Sequence, residues 1–179
     1  MGNDTGNDKG LDILVTQLSA ALMLRGWSMC TAESCTGGLI AASCTALAGS
    51  SEWFERGFVT YSNASKSEIL GVDAALIQKH GAVSEEVARA MALGGLRHSR
   101  AQVCLAVTGV AGPTGGSPEK PVGTVWFAWA LPSDEGPTVG ADAIWISSGK
   151  MQFTGGRKEV REQTVVHSFN GIAKLLSAK

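Results

Sequence analysis

The feature that most constrains this chain is the run Gln102–Thr108, QVCLAVT. Its interior is apolar at every position, without the polar alternation of a strand that has one wet face. Such a strand needs cover on both faces, as in the middle of a sheet between helical layers. The rest of the chain supplies that cover. Leu11, Leu14, Val15, Leu18 and Leu22 recur at helical spacing between Leu11 and Arg25, and Gly26 follows as a stop. Ser84-Glu85-Glu86 puts a capping serine and two acids at the head of a helix that runs to about Ser99. Thr154–Ser177 carries Val160, Val165, Phe169, Ile172 and Leu175 on one side.

Further strands are expected at Trp27–Thr31 and Gly57–Tyr61. A helix is expected over Ser34–Leu47, beginning as the first of those strands ends. Asn63 is placed as the cap of a helix that Gly71 ends, and Asp73 opens a short helix to Lys79. Val122–Ala130 and Gly140–Ser148, joined by LPSDEGPTV, read as an antiparallel hairpin. Alternating helices and strands with an added hairpin give an α/β fold, a three-layer α/β/α sandwich with a mixed β-sheet. In such sheets ligands lie beyond the carboxyl ends of strands. The loops at 32–38, 61–66 and 108–116 answer that description.

The whole chain narrows the function classes. Its 179 residues, 44% of them hydrophobic, suit one domain over residues 10–179. The opening MGNDTGNDKG is polar and lacks the apolar stretch of a signal peptide, so residues 1–9 are expected to form a disordered tail. No apolar run nears the ~20 residues that span a bilayer, so no membrane contact and a cytoplasmic location are expected. A net charge of −1 provides no basic field for a nucleic-acid polymer. Four cysteines without a C-x-x-C pair, and three histidines, give no metal site; the thiols are expected to be reduced and buried. Trp and Phe around 53–58 are expected to be exposed and to suit self-association as a homo-oligomer.

Four stretches carry residues with chemistry. In T-A-E-S-C-T-G-G, Ser34 stands where a strand turns into a helix, and the N–H groups of Thr36, Gly37 and Gly38 can face an oxyanion. Read alone, Ser34 is equally a helix cap. Cys35 is the rival nucleophile, but no histidine has an obvious route to it as a base. In Y-S-N-A-S-K, Lys66 falls in the first turn of a helix, the wrong end of the dipole for a cation. In a dry site both effects lower its pKa and make it a base; exposed, it is an ordinary surface lysine. Tyr61, the one tyrosine of the chain, can relay a proton or orient that lysine. In T-G-V-A-G-P-T-G-G, the loop after the central strand lacks the P-loop Lys-Ser/Thr ending. It can cradle a ligand or simply be a rigid turn, with Thr108 able to hydrogen-bond near Ser34. Arg157 and Arg161, four apart, can hold a phosphate or pair with Glu159 or Glu162.

Taken in order, T-A-E-S-C-T-G-G, G-F-V-T-Y-S-N-A-S-K-S-E-I-L-G-V, H-G-A-V-S-E-E-V-A, A-V-T-G-V-A-G-P-T-G-G and K-P-V-G-T-V resemble the CinA C-terminal domain family, in its stand-alone form, from about residue 11 to 175. The resemblance implies hydrolysis of the carboxamide of nicotinamide mononucleotide (NMN) to nicotinate mononucleotide and ammonia, in pyridine nucleotide salvage. It makes Ser34 the nucleophile and Lys66 the base, with Tyr61 and Thr108 in the supporting network. The substrate would be held by Thr36, Gly37, Gly38, Asn63, Gly109, Ala111, Gly112 and Arg157. It calls for no metal or redox cofactor. The family commonly has Glu-Ala where this chain has Ala64-Ser65, a departure that leaves the lysine in register. The alternative is a non-catalytic nucleotide-binding or regulatory module, which would keep the glycine loops and have no need of Lys66.

Overall fold

The structure, a computed structural model, describes residues 5–133 and 144–177. In chain order its elements are α1 (Thr5–Leu24), β1 (Met29–Glu33), α2 (Leu39–Thr45), β2 (Phe54–Val59), α3 (Asn63–Leu70), α4 (Ala74–His80), α5 (Glu85–Arg97), β3 (Val103–Gly109), β4 (Thr124–Pro132), β5 (Ile144–Gln152) and α6 (Arg157–Ser177). The strands form one sheet in the order β2-β1-β3-β4-β5. β1 pairs in parallel with β2 and β3, whereas β4 is antiparallel to both β3 and β5. The sheet is therefore mixed, as the sequence implies. The turn expected within LPSDEGPTV falls largely at 134–143, outside the described residues.

β3 is the central strand, and Val103–Thr108 are all buried. Two hydrophobic cores explain why both its faces must be apolar. On one side Leu105 and Val107 pack with Leu18 and Leu22 of α1, Ile40 of α2 and Val160, Val165 and Phe169 of α6. On the other, Cys104 and Ala106 pack with Leu70, Ile77, Val87 and Met91 of α3, α4 and α5. The last helix buries Leu176 in preference to the half-buried Leu175. Each fully buried aliphatic side chain contributes about 1.5–3 kcal/mol, so these two layers hold the sheet that positions the loops.

Two expectations change. α1 begins at Thr5, so the disordered tail expected over 1–9 does not extend to residues 5–9. Once Leu18 and Leu22 dock, lengthening an existing helix costs far less than starting one. Trp53 is 1% exposed and belongs to the core beside Met29, with Phe54 packed against its edge. The exposed apolar residues at that border are instead Val59, Tyr61 and Ile69. Among the described residues no helix is long and apolar enough to cross a membrane.

Candidate active site

Parallel pairing of β2, β1 and β3 brings the residues that follow them to one end of the sheet. Ser34 directly follows β1. Its N–H donates to the Val107 carbonyl at 3.0 Å, so the end of β3 fixes where its side chain starts. Residues 34–38 are a turn, not the first turn of a helix: α2 begins at Leu39. Gly37 and Gly38 take φ values of 60° and 96°, which interrupt a right-handed helix and favour glycine.

The helix end is occupied by Glu33, a fully buried carboxylate that sequence reasoning assigned no role. Its Oε2 accepts from Thr36 Oγ1 at 2.7 Å and from the N–H groups of Gly38 and Ile40 at 3.0 Å each. Its Oε1 accepts from the Ala41 N–H at 2.8 Å and from Thr31 Oγ1 at 3.1 Å. The Gly37 N–H donates to the Ser34 carbonyl at 3.1 Å. Gly37 and Gly38 therefore do not offer the free donors expected of them, and the Thr36 side chain is turned inward. Among the described residues, the N–H groups left without an oxygen acceptor in this turn are those of Cys35 and Thr36. The readable signal was an acid ending an otherwise uncharged strand, MCTAE.

Lys66 comes from α3. The cap of that helix is Ser62, one residue before the expected Asn63, in a reciprocal box with Ser65. A serine three residues into the helix can return the hydrogen bond, which fixes the start at Ser62. Lys66 is only 1% exposed, and its Nζ donates to Ser34 Oγ at 3.1 Å and to the Thr60 carbonyl at 2.9 Å. Burial holds the amine below the ordinary lysine pKa, a shift the neighbouring Cys35 opposes. The Thr60 carbonyl orients the amine; Tyr61, expected in that role, is 60% exposed and turned elsewhere.

The phenol of Tyr61 accepts from Arg157 Nη2 at 2.9 Å, while Arg157 Nη1 donates to the Gly112 carbonyl, also at 2.9 Å. Arg157 is the first residue of α6, and its fork ties the β2–α3 loop to the glycine loop. Gly112, at φ 84° with Val122 packed where a Cβ would stand, holds that loop's bend. Arg161 departs from both of its expected uses: its Nη2 donates to the Thr36 carbonyl at 2.7 Å. Thr108 Oγ1 donates to the Ala82 carbonyl at 2.7 Å, not to Ser34.

These residues enclose a cavity of about 210 Å³ lined by Ser34, Cys35, Tyr61, Asn63, Lys66, Ala82, Val83, Thr108, Gly109, Ala111 and Arg157. Of the expected binding residues, Thr36, Gly37, Gly38 and Gly112 are not in the lining; they shape the walls behind it. Ala82 and Val83 line it and were not foreseen, since nothing in HGAVSEEVA distinguishes them from a loop. Cys35 lines it too, but burial pushes its thiol up to about 12, leaving it protonated at neutral pH. The lining holds two basic side chains and no acidic one, a surface suited to an anionic ligand. A larger groove of about 470 Å³ between α3 and α4 contains neither Ser34 nor Lys66.

A buried, desolvated amine in contact with a serine hydroxyl can activate that serine for attack on a carbonyl carbon. Known proteins of the same kind bear names that match such chemistry. The CinA C-terminal domain family matches residues 11–176. A protein of Enterobacter agglomerans named nicotinamide-nucleotide amidohydrolase PncC is 51% identical over 90% of this chain and 93% of its own length. Its namesake in Escherichia coli K12 is 47% identical over 90% and 92%. The crystal structure of a competence/damage-inducible protein from Agrobacterium tumefaciens superposes with a TM-score of 0.84 at 39% identity, covering 98% of this chain and 99% of that one. The chain thus belongs to the CinA C-terminal domain family.

Proposed function

We propose that this chain hydrolyses the carboxamide of nicotinamide mononucleotide, giving nicotinate mononucleotide and ammonia, with Ser34 as nucleophile and Lys66 as base. The name borne by relatives about half identical over nine-tenths of the chain supports the reaction. The observation that carries the mechanism is the 3.1 Å contact between Lys66 Nζ and Ser34 Oγ inside the cavity.

In this reading the neutral amine of Lys66 keeps one N–H on the Thr60 carbonyl and turns its lone pair to the Ser34 hydroxyl. Ser34 Oγ bonds to the amide carbon as its proton passes to Lys66. The N–H groups of Cys35 and Thr36 receive the oxyanion, an interaction worth about 3–4 kcal/mol per donor in comparable sites. Collapse breaks the C–N bond, and the Lys66 proton leaves with ammonia. Water, deprotonated in turn by Lys66, then cleaves the ester and restores Ser34. Asn63, Thr108, Gly109 and Ala111 bound the ring and ribose, and Arg157 meets the phosphate. Tyr61 acts through Arg157.

The reading extends to a single domain over residues 10–179 that works in the cytoplasm as a homo-oligomer. The exposed Val59, Tyr61 and Ile69 beside edge strand β2 support self-association. Light scattering on the purified chain tests it. The reaction is tested by coupled detection of ammonia from NMN: wild type turns over and Ser34→Ala does not. Ammonia release by Ser34→Ala at the wild-type rate would remove the serine from the mechanism.

A further inference from the structure

We propose that Glu33 is a positioning residue for the reaction: by gathering five donors onto one buried carboxylate, it sets the turn that aims Ser34 and keeps the N–H groups of Cys35 and Thr36 free for the oxyanion. The inference rests on the reading of Ser34 as nucleophile and adds a group that touches neither substrate nor reacting atoms.

The geometry leads there in three steps. A fully buried carboxylate is costly to desolvate unless its oxygens are satisfied, and here all five partners are donors. Three of the donors are the N–H groups of Gly38, Ile40 and Ala41. They belong to the end of a helix, where a negative charge also meets the favourable end of the dipole. In most helices a residue next to the first turn does this work; here the acid lies one position before Ser34, on the strand itself. The residue that caps α2 is therefore the residue that delivers the nucleophile.

The consequence concerns the peptides in between. Ser34 is tied to β3 through its N–H, Thr36 to Glu33 through its hydroxyl and to Arg161 through its carbonyl. Residues 34–38 are thus held at both ends and at the middle. With the Gly38 N–H on Glu33 and the Gly37 N–H on the Ser34 carbonyl, the N–H groups of this turn that have no oxygen acceptor are those of Cys35 and Thr36, the two residues that follow Ser34. Losing the carboxylate would free the Gly38, Ile40 and Ala41 donors and let the turn drift. Misplacement of about 1 Å in a reacting group commonly costs on the order of a hundredfold in rate.

The test is steady-state ammonia release from NMN by Glu33→Gln, expressed per folded molecule from circular dichroism and urea unfolding. Glutamine keeps the size but turns N–H donors toward N–H donors. The expected result is kcat lowered by at least about tenfold with KM within about twofold, because alignment and not binding is lost. A glutamate that only stabilised the fold would lower the unfolding midpoint and leave kcat per folded molecule unchanged; that result would overturn the proposal. If Glu33→Gln does not fold, Thr36→Val decides. It removes one donor to Oε2 at nearly constant shape, and it is expected to lower kcat severalfold at unchanged KM; wild-type kcat there would equally overturn the proposal. Ser34→Ala in the same assay separates the two claims. If it is inactive while folded Glu33→Gln has wild-type kcat, the positioning role alone fails. If it is active, the nucleophile assignment itself fails, and the positioning role with it.

Discussion

Lys66 Nζ and Ser34 Oγ stand 3.1 Å apart although 32 residues separate them, because β1 and β2 run parallel and release their following segments at the same end of the sheet. The contact is a product of topology: an antiparallel β2 would send Lys66 to the opposite end. Burial then sets the chemistry of the pair, since the same lysine in water would be a permanent cation at neutral pH.

The pH dependence follows from the sign of that shift. The active form of Lys66 is the neutral amine, so kcat/KM for ammonia release should rise with pH and level off below the ordinary lysine value of 10.5. Stability shares the window. With the folded pKa below the unfolded one, the unfolded chain binds more protons between the two values, and the penalty of burying the cation fades as pH rises. Urea unfolding of wild type and Lys66→Met should therefore show the difference moving in favour of wild type from neutral toward alkaline pH.

Cys35→Ala should keep activity within about threefold of wild type, under about 1 kcal/mol of barrier. Its thiol, held up at about 12, supplies no thiolate near neutral pH. Measured ammonia release from a folded Cys35→Ala protein checks this, and a dead but folded variant would transfer the nucleophile to sulfur.

Arg157→Ala should act on binding. Loss of a charge-assisted contact worth about 1.5–3 kcal/mol raises KM for NMN roughly tenfold to a hundredfold while kcat stays within a fewfold. Arg157→Lys should not restore KM, because one ammonium cannot reproduce the fork that reaches both Tyr61 and the Gly112 carbonyl.

How much of this was legible in the sequence depends on what kind of signal each part left. Helix α5 starts where Ser84-Glu85-Glu86 placed it, because a cap and its acids are local. The central strand was read from its unbroken apolar run, and the mixed sheet from the hairpin. Ser34 and Lys66 were found from their neighbours and from family resemblance, but their separation is set by strand pairing that no local pattern encodes. The start of α2 was misjudged because Ala- and Leu-rich composition speaks for the helix interior, whereas Glu33 and two positive-φ glycines decide where it begins. Trp53 looked like surface because the core that takes it in includes Met29 and Trp27, which are distant in sequence. Tyr61 was assigned to the lysine by proximity in sequence; its partner, Arg157, is 96 residues away.

Packing on the far face offers a check on the fold alone. Gly94 of α5 lies against the Leu70 backbone, and a Cβ there would collide with the Leu70 carbonyl and side chain. Despite the better helix propensity of alanine, Gly94→Ala should lose about 1–3 kcal/mol in urea unfolding. A stabilised variant would mean that α3 and α5 are not in contact as described.

The most direct measurement is ammonia release from NMN by Lys66→Ala, with circular dichroism confirming the fold. Removal of a positioned general base should lower kcat by about 10²- to 10⁴-fold. A folded Lys66→Ala enzyme with wild-type turnover would contradict the Ser34–Lys66 mechanism outright.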